Sequence, residues 1–390
     1  VLVEKEGELG GLANRLTKTI EGADIRSYVS ELSDRVRNHP QLQVLTNSLV
    51  VDFSGFKGNF KTELLVGPGM YERKIDHGVL ILATGAEEYQ PGEYLYGQNP
   101  NVLTQIELSD RLETEGGADS LEQVVMIQCV GSRNEENPNC SRICCQSAVK
   151  NAIHIKKEKP DAQVYILYRD IRTYGLLEDY YTEARRLGVI FARFEPENPP
   201  QVAETENGLA VTFHDPILDR DLSVDADVLA LSTGMRAADT EELASIMKLD
   251  RNTDQYFIEA HVKLRPVDLG TEAIFVCGTA HSPKLISESV SQAYAAASRA
   301  VTFLGQPHLT LSAVTAKVDP EKCAACLICV RSCPYGVPRI NEEGVSEIDD
   351  ALCQGCGACA AECPAKAIEL SWYEDEQLLA KVDALLEDIV

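Results

Sequence analysis

The apolar residues of this chain gather in short unbroken runs, and the strongest runs end in small residues. Gly78–Tyr89 reads GVLILATGAEEY, Asp225–Met235 reads DADVLALSTGM, and Ala273–Leu304 opens with AIFVCGTA before a long Ala-rich helical stretch. A strand buried on both faces of a parallel sheet has this pattern. Small residues after it let a ligand or another backbone approach closely. Val124–Gln128 and Gln163–Tyr168 predict two further strands, with a helix between them over Ser147–Lys157. Val1–Glu4 predicts another strand, closed by an acidic residue and followed by Gly10 and Gly11. The order predicts an α/β protein of two nested, doubly wound, dinucleotide-type units, the first interrupted by the second and then resumed. The expected boundaries are 1–120, 121–235 and 236–308, followed by a small α+β domain over 309–371 and a C-terminal helix over 372–390. In that tail Leu378, Leu379, Val382, Leu385, Leu386 and Ile389 recur at helical spacing. The spacing predicts a helix packed on its own protein, with partner docking as the alternative.

The 390 residues are 44% hydrophobic and 25% charged, ordinary for a globular chain of two or three domains. A formal charge of −25 disfavours nucleic acid and anionic membrane surfaces as partners, because both would repel it. No apolar run reaches the length of a membrane span. Of the 13 cysteines, all but Cys277 fall in clustered groups, which points to a reducing cytoplasm rather than to disulfides.

The residues from Cys323 to Pro364 contain CAACLICVRSCP and CQGCGACAAECP. Each is C-x2-C-x2-C-x3-C-P, the spacing of a two-cluster ferredoxin, in which the fourth cysteine reaches the other cluster. The expected ligand sets are Cys323, Cys326, Cys329 and Cys363 for one [4Fe–4S] cluster, and Cys353, Cys356, Cys359 and Cys333 for the other. Zinc sites usually come as two widely separated C-x2-C pairs, so the doubled run favours iron–sulfur cubanes.

The inner unit departs from a nucleotide-binding one at its first turn. Its first strand runs into CVGSRNEENPNCSRICC, with Gly131 as the only glycine. A pyrophosphate needs the close backbone approach that several glycines give, so NAD(P)H is not expected to bind there in the usual way. Cys129, Cys140, Cys144 and Cys145 stand in that place. Spacing alone leaves three readings open: a further [4Fe–4S] cluster, a vicinal disulfide between Cys144 and Cys145, or zinc. At Gly278-Thr279 the helix start that follows can aim N–H groups at a phosphate or an electron-rich ring edge. Lys284 and His281 lie in that turn, and Cys277 reads as a buried structural thiol.

VEKEGELGG, LILATG, CVGSRNEENPNCSRICC, LSTGM, IFVCGTAHSPKLISESVSQAYAAASRA and the doubled ferredoxin motif together resemble the A subunit of heterodisulfide reductase. The resemblance runs along essentially the whole chain. It implies a thioredoxin-reductase-like FAD-binding fold, interrupted by the second α/β unit, and a third [4Fe–4S] cluster on Cys129, Cys140, Cys144 and Cys145. It places Glu4 at the adenosine ribose, Gly10 and Gly11 on the adenosine side, and Ala83, Thr84 and Gly85 by the pyrophosphate. Gly278, Thr279, Ser289 and Gln292 would approach the flavin, with Lys284 near its reactive edge as the candidate catalytic residue.

The implied function is that of a cytoplasmic FAD- and [4Fe–4S]-dependent electron-transfer subunit. Its partners would be other members of a heterodisulfide-reductase-like complex and carriers such as ferredoxin or a hydrogenase or dehydrogenase module. In the methanogen system the flavin splits an electron pair between a high- and a low-potential route. The alternatives are an NAD(P)H-dependent flavin oxidoreductase with a fused ferredoxin domain, and a non-catalytic cluster relay. In a dinucleotide unit the Gly-rich loop lies about twenty residues before the acidic strand end. That puts it ahead of residue 1, so the chain is expected to be a fragment that binds FAD weakly or not at all by itself.

Overall fold

The computed structural model describes residues 1–206, 208–310 and 314–387. The chain enters through β1 (Leu2–Val3), then α1 (Ile25–Arg37), whose first turn is capped by the Asp24 carboxylate accepting from Ser27 N. β2 (Val44–Leu45) pairs with β1 in parallel. An antiparallel meander follows: β3 (Ser48–Phe56), β4 (Asn59–Val66) and β5 (Tyr71–His77). Gly78–Tyr89 is broken by Ala83-Thr84-Gly85 into β6 (Leu80–Leu82) and β7 (Ala86–Glu88), with Gly85 at φ 80°. β8 (Val102–Thr104) leads into α2 (Gln105–Leu112) through a reciprocal cap between Thr104 and Glu107.

The inner unit holds β9 (Gln123–Val130), α3 (Cys144–Glu158), β10 (Gln163–Tyr168), α4 (Glu178–Arg186) and β11 (Ile190–Arg193). It continues through an antiparallel layer, β12 (Gln201–Thr205), β13 (Gly208–Asp215) and β14 (Arg220–Ala226), to β15 (Val228–Thr233). Its parallel sheet has the order β11-β10-β9-β15-β8, so the winding reverses between β9 and β15. Alternate side chains face opposite layers. Val124, Met126, Val228 and Ala230 pack on α2 and α3, while Val125, Ile127, Leu229 and Leu231 pack on Leu209, Val211 and Phe213 of the antiparallel layer. Here the expected boundary at 120/121 is corrected. β8 pairs with β15, Leu229 opposite Val102, and α2 packs on α3, so residues from about Asn101 belong to the inner unit.

The chain returns through β16 (Met235–Ala237), antiparallel to β7, and α5 (Glu241–Met247). β17 (Ile274–Val276) then pairs with β6 in parallel, which rejoins the first unit, and α6 (Ile286–Leu304) follows. Phe60, Leu82, Met247, Phe257, Ile274 and Val276 share its core. The small last domain has β18 (Ala316–Val318), α7 (Ile328–Ser332), β19 (Arg339–Ile340), β20 (Ser346–Glu347), α8 (Ala358–Ala361) and β21 (Ile368–Leu370). β18 pairs with β21 and β19 with β20.

The tail forms α9 (Asp375–Leu386), but none of its residues is buried, and Leu379 and Leu385 are 63% and 74% exposed. The expected self-packing is thus not what the structure holds; Ile389 lies outside the described residues. Among the described residues no helix is long and apolar enough to cross a membrane.

Candidate redox sites

The two halves of the ferredoxin-type run fold alike. In each, the backbone turns left-handed twice after the first cysteine: at Ala325 (φ 51°) and Leu327 (φ 64°), and at Gly355 (φ 66°) and Gly357 (φ 79°). These turns wrap the cysteines around a hollow. Cys323, Cys326, Cys329 and Cys363 line one, and Cys333, Cys353, Cys356 and Cys359 line the other. Backbone N–H groups donate to the sulfurs, Ser346 to Cys323 (3.4 Å), Ala367 to Cys363 (3.3 Å), Ala316 to Cys353 (3.4 Å) and Val337 to Cys333 (3.5 Å). Such donors suit thiolate ligands and are one lever on a cluster's potential. Among the described residues no three or more His, Cys, Asp or Glu side chains converge on a single ion; the ferredoxin-type thiols surround a space instead.

The second thiol group sits where the inner sheet reverses. Cys129 near the end of β9 has φ 64°, beside a register shift in the β9–β15 ladder. Cys144 and Cys145 open α3, where the helix dipole favours negative charge. Cys140 Sγ accepts from the Arg142 backbone N–H at 3.3 Å, and Cys129 Sγ lies 3.8 Å from Arg133 Nη1. Arg133 is in turn held by Asp170 at 2.6 Å. Burial, aided by Cys145, pushes the Cys129 thiol up to about 11. Cys144 donates to Cys145, which lowers Cys145 to about 7 and, with burial, raises Cys144 well above its ordinary value. Cys145, Cys129 and Cys140 all bear electrostatically on Cys144.

Arg142 joins this group to the start of α6. Its guanidinium makes two bonds to Glu288 (3.0 and 2.9 Å), one to the Pro283 carbonyl (3.2 Å) and one to the Tyr174 hydroxyl (2.6 Å). Glu288 also accepts from Leu285 N, closing the helix start. In the adjoining turn, His281 Nε2–H donates to Glu259 at 2.6 Å, which leaves Nδ1 to accept from Lys284 Nζ (3.0 Å) and Gln292 Nε2 (3.1 Å). Burial, reinforced by Arg142, pulls Lys284 down to about 8. Burial is the largest influence on Glu259 and would raise it, but the bond and charge of His281, its own backbone N–H and the Lys284 charge together hold the carboxyl below its ordinary value. Gly278 has φ 68° and leaves ordinary contact space against Ser289. Cys277 is buried against Val267, Phe275, Ala296 and Ala300.

The remaining candidates have plainer surroundings. Glu4 turns its carboxylate back to accept from Glu6 N at 2.9 Å. Gly10 has φ 109°, and a Cβ there would meet Asn14 and Val29, whereas Gly11 and Gly85 open onto free space. Ala83 and Thr84 are exposed. Arg142, Glu288, Glu259 and the Arg133–Asp170 pair were not found from sequence. Their partners are distant in the chain, 146 residues for Arg142 and Glu288, and only His281 carried a local signal.

Known proteins resemble this chain in sequence and in fold. The 4Fe-4S dicluster domain family matches residues 315–364. One of two iron-sulfur A subunits of CoB–CoM heterodisulfide reductase from Methanopyrus kandleri is 32% identical over an alignment 489 positions long, gaps included, covering 99% of this chain and 73% of that protein. The chain belongs to the family of heterodisulfide reductase A subunits. A further family member, the A subunit of H(2)/formate:CoB-CoM heterodisulfide,ferredoxin reductase from Methanococcus maripaludis, is 39% identical over 336 residues. That match covers 81% of this chain, which spans about half (51%) of that relative.

Among solved structures, the thioredoxin reductase of T. acidophilum matches with a TM-score of 0.52 at 13% identity, covering 78% of this chain and 90% of that one. Lactococcus lactis thioredoxin reductase gives 0.51 at 14% identity with the same coverage. These two likenesses show the fold alone. This heterodisulfide reductase homologue therefore joins a thioredoxin-reductase-like FAD-binding fold to a dicluster ferredoxin domain. Both relatives are named as reductase subunits, and the Methanopyrus kandleri one as an iron-sulfur subunit.

Proposed function

We infer that this chain is the FAD- and [4Fe–4S]-dependent electron-transfer subunit of a heterodisulfide-reductase-like complex. The carrying observation is the division of the eight C-terminal cysteines between two hollows, four to each, with backbone donors on the sulfurs. On this reading Cys323, Cys326, Cys329 and Cys363 hold one cluster, and Cys333, Cys353, Cys356 and Cys359 the other. Cys129, Cys140, Cys144 and Cys145 hold a third. Successive helical residues point about 100° apart, so closing a Cys144–Cys145 disulfide would unwind the first turn of α3; this favours the cluster over the vicinal pair. Bound FAD would supply the exchange between two-electron and one-electron chemistry. Gly278, Thr279, Ser289 and Gln292 would lie along its ring, with Lys284 the cation at that edge, while Glu4, Gly10, Gly11 and Ala83-Thr84-Gly85 would serve its nucleotide part.

The names of the relatives point to a heterodisulfide and to ferredoxin as redox partners, and on this reading the flavin splits electrons between two routes. An NAD(P)H site in the inner unit is disfavoured by Gly131. A Cβ there would lie 1.9 Å from the Tyr89 ring, and the Arg236 guanidinium stacks on the same ring at 4.3 Å from its centroid, so side chains crowd the turn a pyrophosphate would need. The test is anaerobic iron, zinc and flavin analysis of the full-length protein with EPR. About twelve irons and one FAD per chain are expected from three cubanes. About four irons, zinc in their place, or rapid bleaching of the flavin by NADH or NADPH would overturn the reading.

A further inference from the structure

Four polar side chains beside the second thiol group are buried without a partner. Gln128, Gln146, Ser232 and Thr173 are 2%, 3%, 0% and 2% exposed. Among the described residues, both amide atoms of Gln128 and of Gln146, and the hydroxyls of Ser232 and Thr173, have no hydrogen-bond partner. Leaving a buried polar group unsatisfied is destabilising, so four beside one thiol group call for a shared partner. Their positions name it. Gln128 precedes Cys129 and Gln146 follows Cys145. Ser232 lies across the β9–β15 ladder from Gln128 and Cys129, between the pairs Leu231–Ile127 and Thr233–Val130. Thr173 lies three residues after Asp170, whose carbonyl accepts from Cys145 Sγ at 3.9 Å.

We propose that Gln128, Gln146, Ser232 and Thr173 form a neutral hydrogen-bonding lining for the iron–sulfur cluster held by Cys129, Cys140, Cys144 and Cys145, and act as positioning residues that set its reduction potential. The proposal rests on the third-cluster reading above. Neutral donors stabilise the more negative, reduced cluster without adding charge. They raise its potential and make it a better one-electron acceptor, while the ferredoxin-type clusters rely on backbone N–H donors. Gln128 and Ser232 follow directly on runs, 124–127 and 228–231, whose residues are apolar on both faces of the sheet.

The test uses Gln128→Leu and Gln146→Leu in the full-length holoprotein, with Ser232→Ala and Thr173→Val as milder changes should either leucine variant fail to fold. Anaerobic EPR redox titration is expected to show the third cluster's reduction constant falling roughly three- to tenfold per lost donor, tenfold being 59 mV for one electron. The two ferredoxin-type clusters keep their potentials and iron content stays at the wild-type value. After iron removal the same substitutions are expected to stabilise the protein against urea, because they delete orphaned polar groups. An unmoved third potential at full iron, equal shifts in all clusters, or an iron-free variant less stable than the wild type would overturn the lining. A wild-type protein with only about eight irons would instead overturn the third cluster itself.

Discussion

Lys150 illustrates how one buried charge shapes the pH response. Its ammonium donates to the Lys18 carbonyl (3.1 Å) and to Ser109 Oγ (2.8 Å), and burial pulls its pKa down to about 8 from the usual 10.5. A lysine with a depressed folded value binds fewer protons folded than unfolded between those two values. Stability therefore rises with pH across that window, and below it the burial penalty is present in full. Comparison with Lys150→Met isolates this group. Between pH 7 and pH 11 the wild type is expected to gain on the variant by on the order of 3 kcal/mol. Urea midpoints at both pH values check it, and a constant difference between the two proteins would contradict the assignment. No periodicity marked Lys150, which reads as an ordinary solvated helix lysine until Thr17, Lys18 and Ser109 close over it.

Arg142 is an element-scale device, because it ties the thiol-bearing loop before α3 to the start of α6. Its positive charge is also the second cause, after burial, of the low Lys284 value. Arg142→Met is expected to move the Lys284 pKa upward from about 8, while Arg142→Lys leaves it low. The pH profile of amine labelling at Lys284 measures this, and an unchanged profile in Arg142→Met would rule out the coupling. The exposed helix α9 yields a second test. Leu379→Glu and Leu385→Glu should change stability by no more than roughly 0.5 kcal/mol, as surface substitutions do; a larger loss in thermal unfolding would restore the self-packed helix.

Elements with both faces buried were legible from sequence. β10 lies where Gln163–Tyr168 was expected, β9 encloses the expected Val124–Gln128, and β15 and β17 fall within their runs. The β3–β5 meander and the β12–β14 layer escaped notice because their strands are half exposed and mix charge with apolar residues. β8 and α2 were assigned to the wrong unit, since β8 has only three residues and its membership is decided by pairing with β15, far along the chain.

At the scale of the whole molecule, cysteine spacing was readable because the ligand grouping is written into a short stretch of chain. The links between modules were not, since each depends on approach in space, such as Lys248 Nζ of the flavin-type unit at 3.5 Å from the Tyr335 carbonyl of the ferredoxin domain. The modules also differ in what holds them. The inner unit has two large apolar cores around its sheet, whereas the buried apolar residues of the ferredoxin domain, among the described residues, are Ala316, Cys329, Cys359, Ala367 and Ile368, two of them cysteines. A domain this small cannot bury enough apolar surface to offset chain entropy without a staple, and metal binding then supplies the folding free energy. Anaerobic removal of iron is therefore expected to unfold β18 and β21 while the inner sheet survives. Hydrogen exchange reads the two separately: amides of 316–318 and 368–370 should lose protection on chelation, and those of 123–130 should keep theirs. Protection retained across 316–370 after the iron is gone would mean that the protein part alone sustains this domain, and the clusters would then be passengers in a preformed fold.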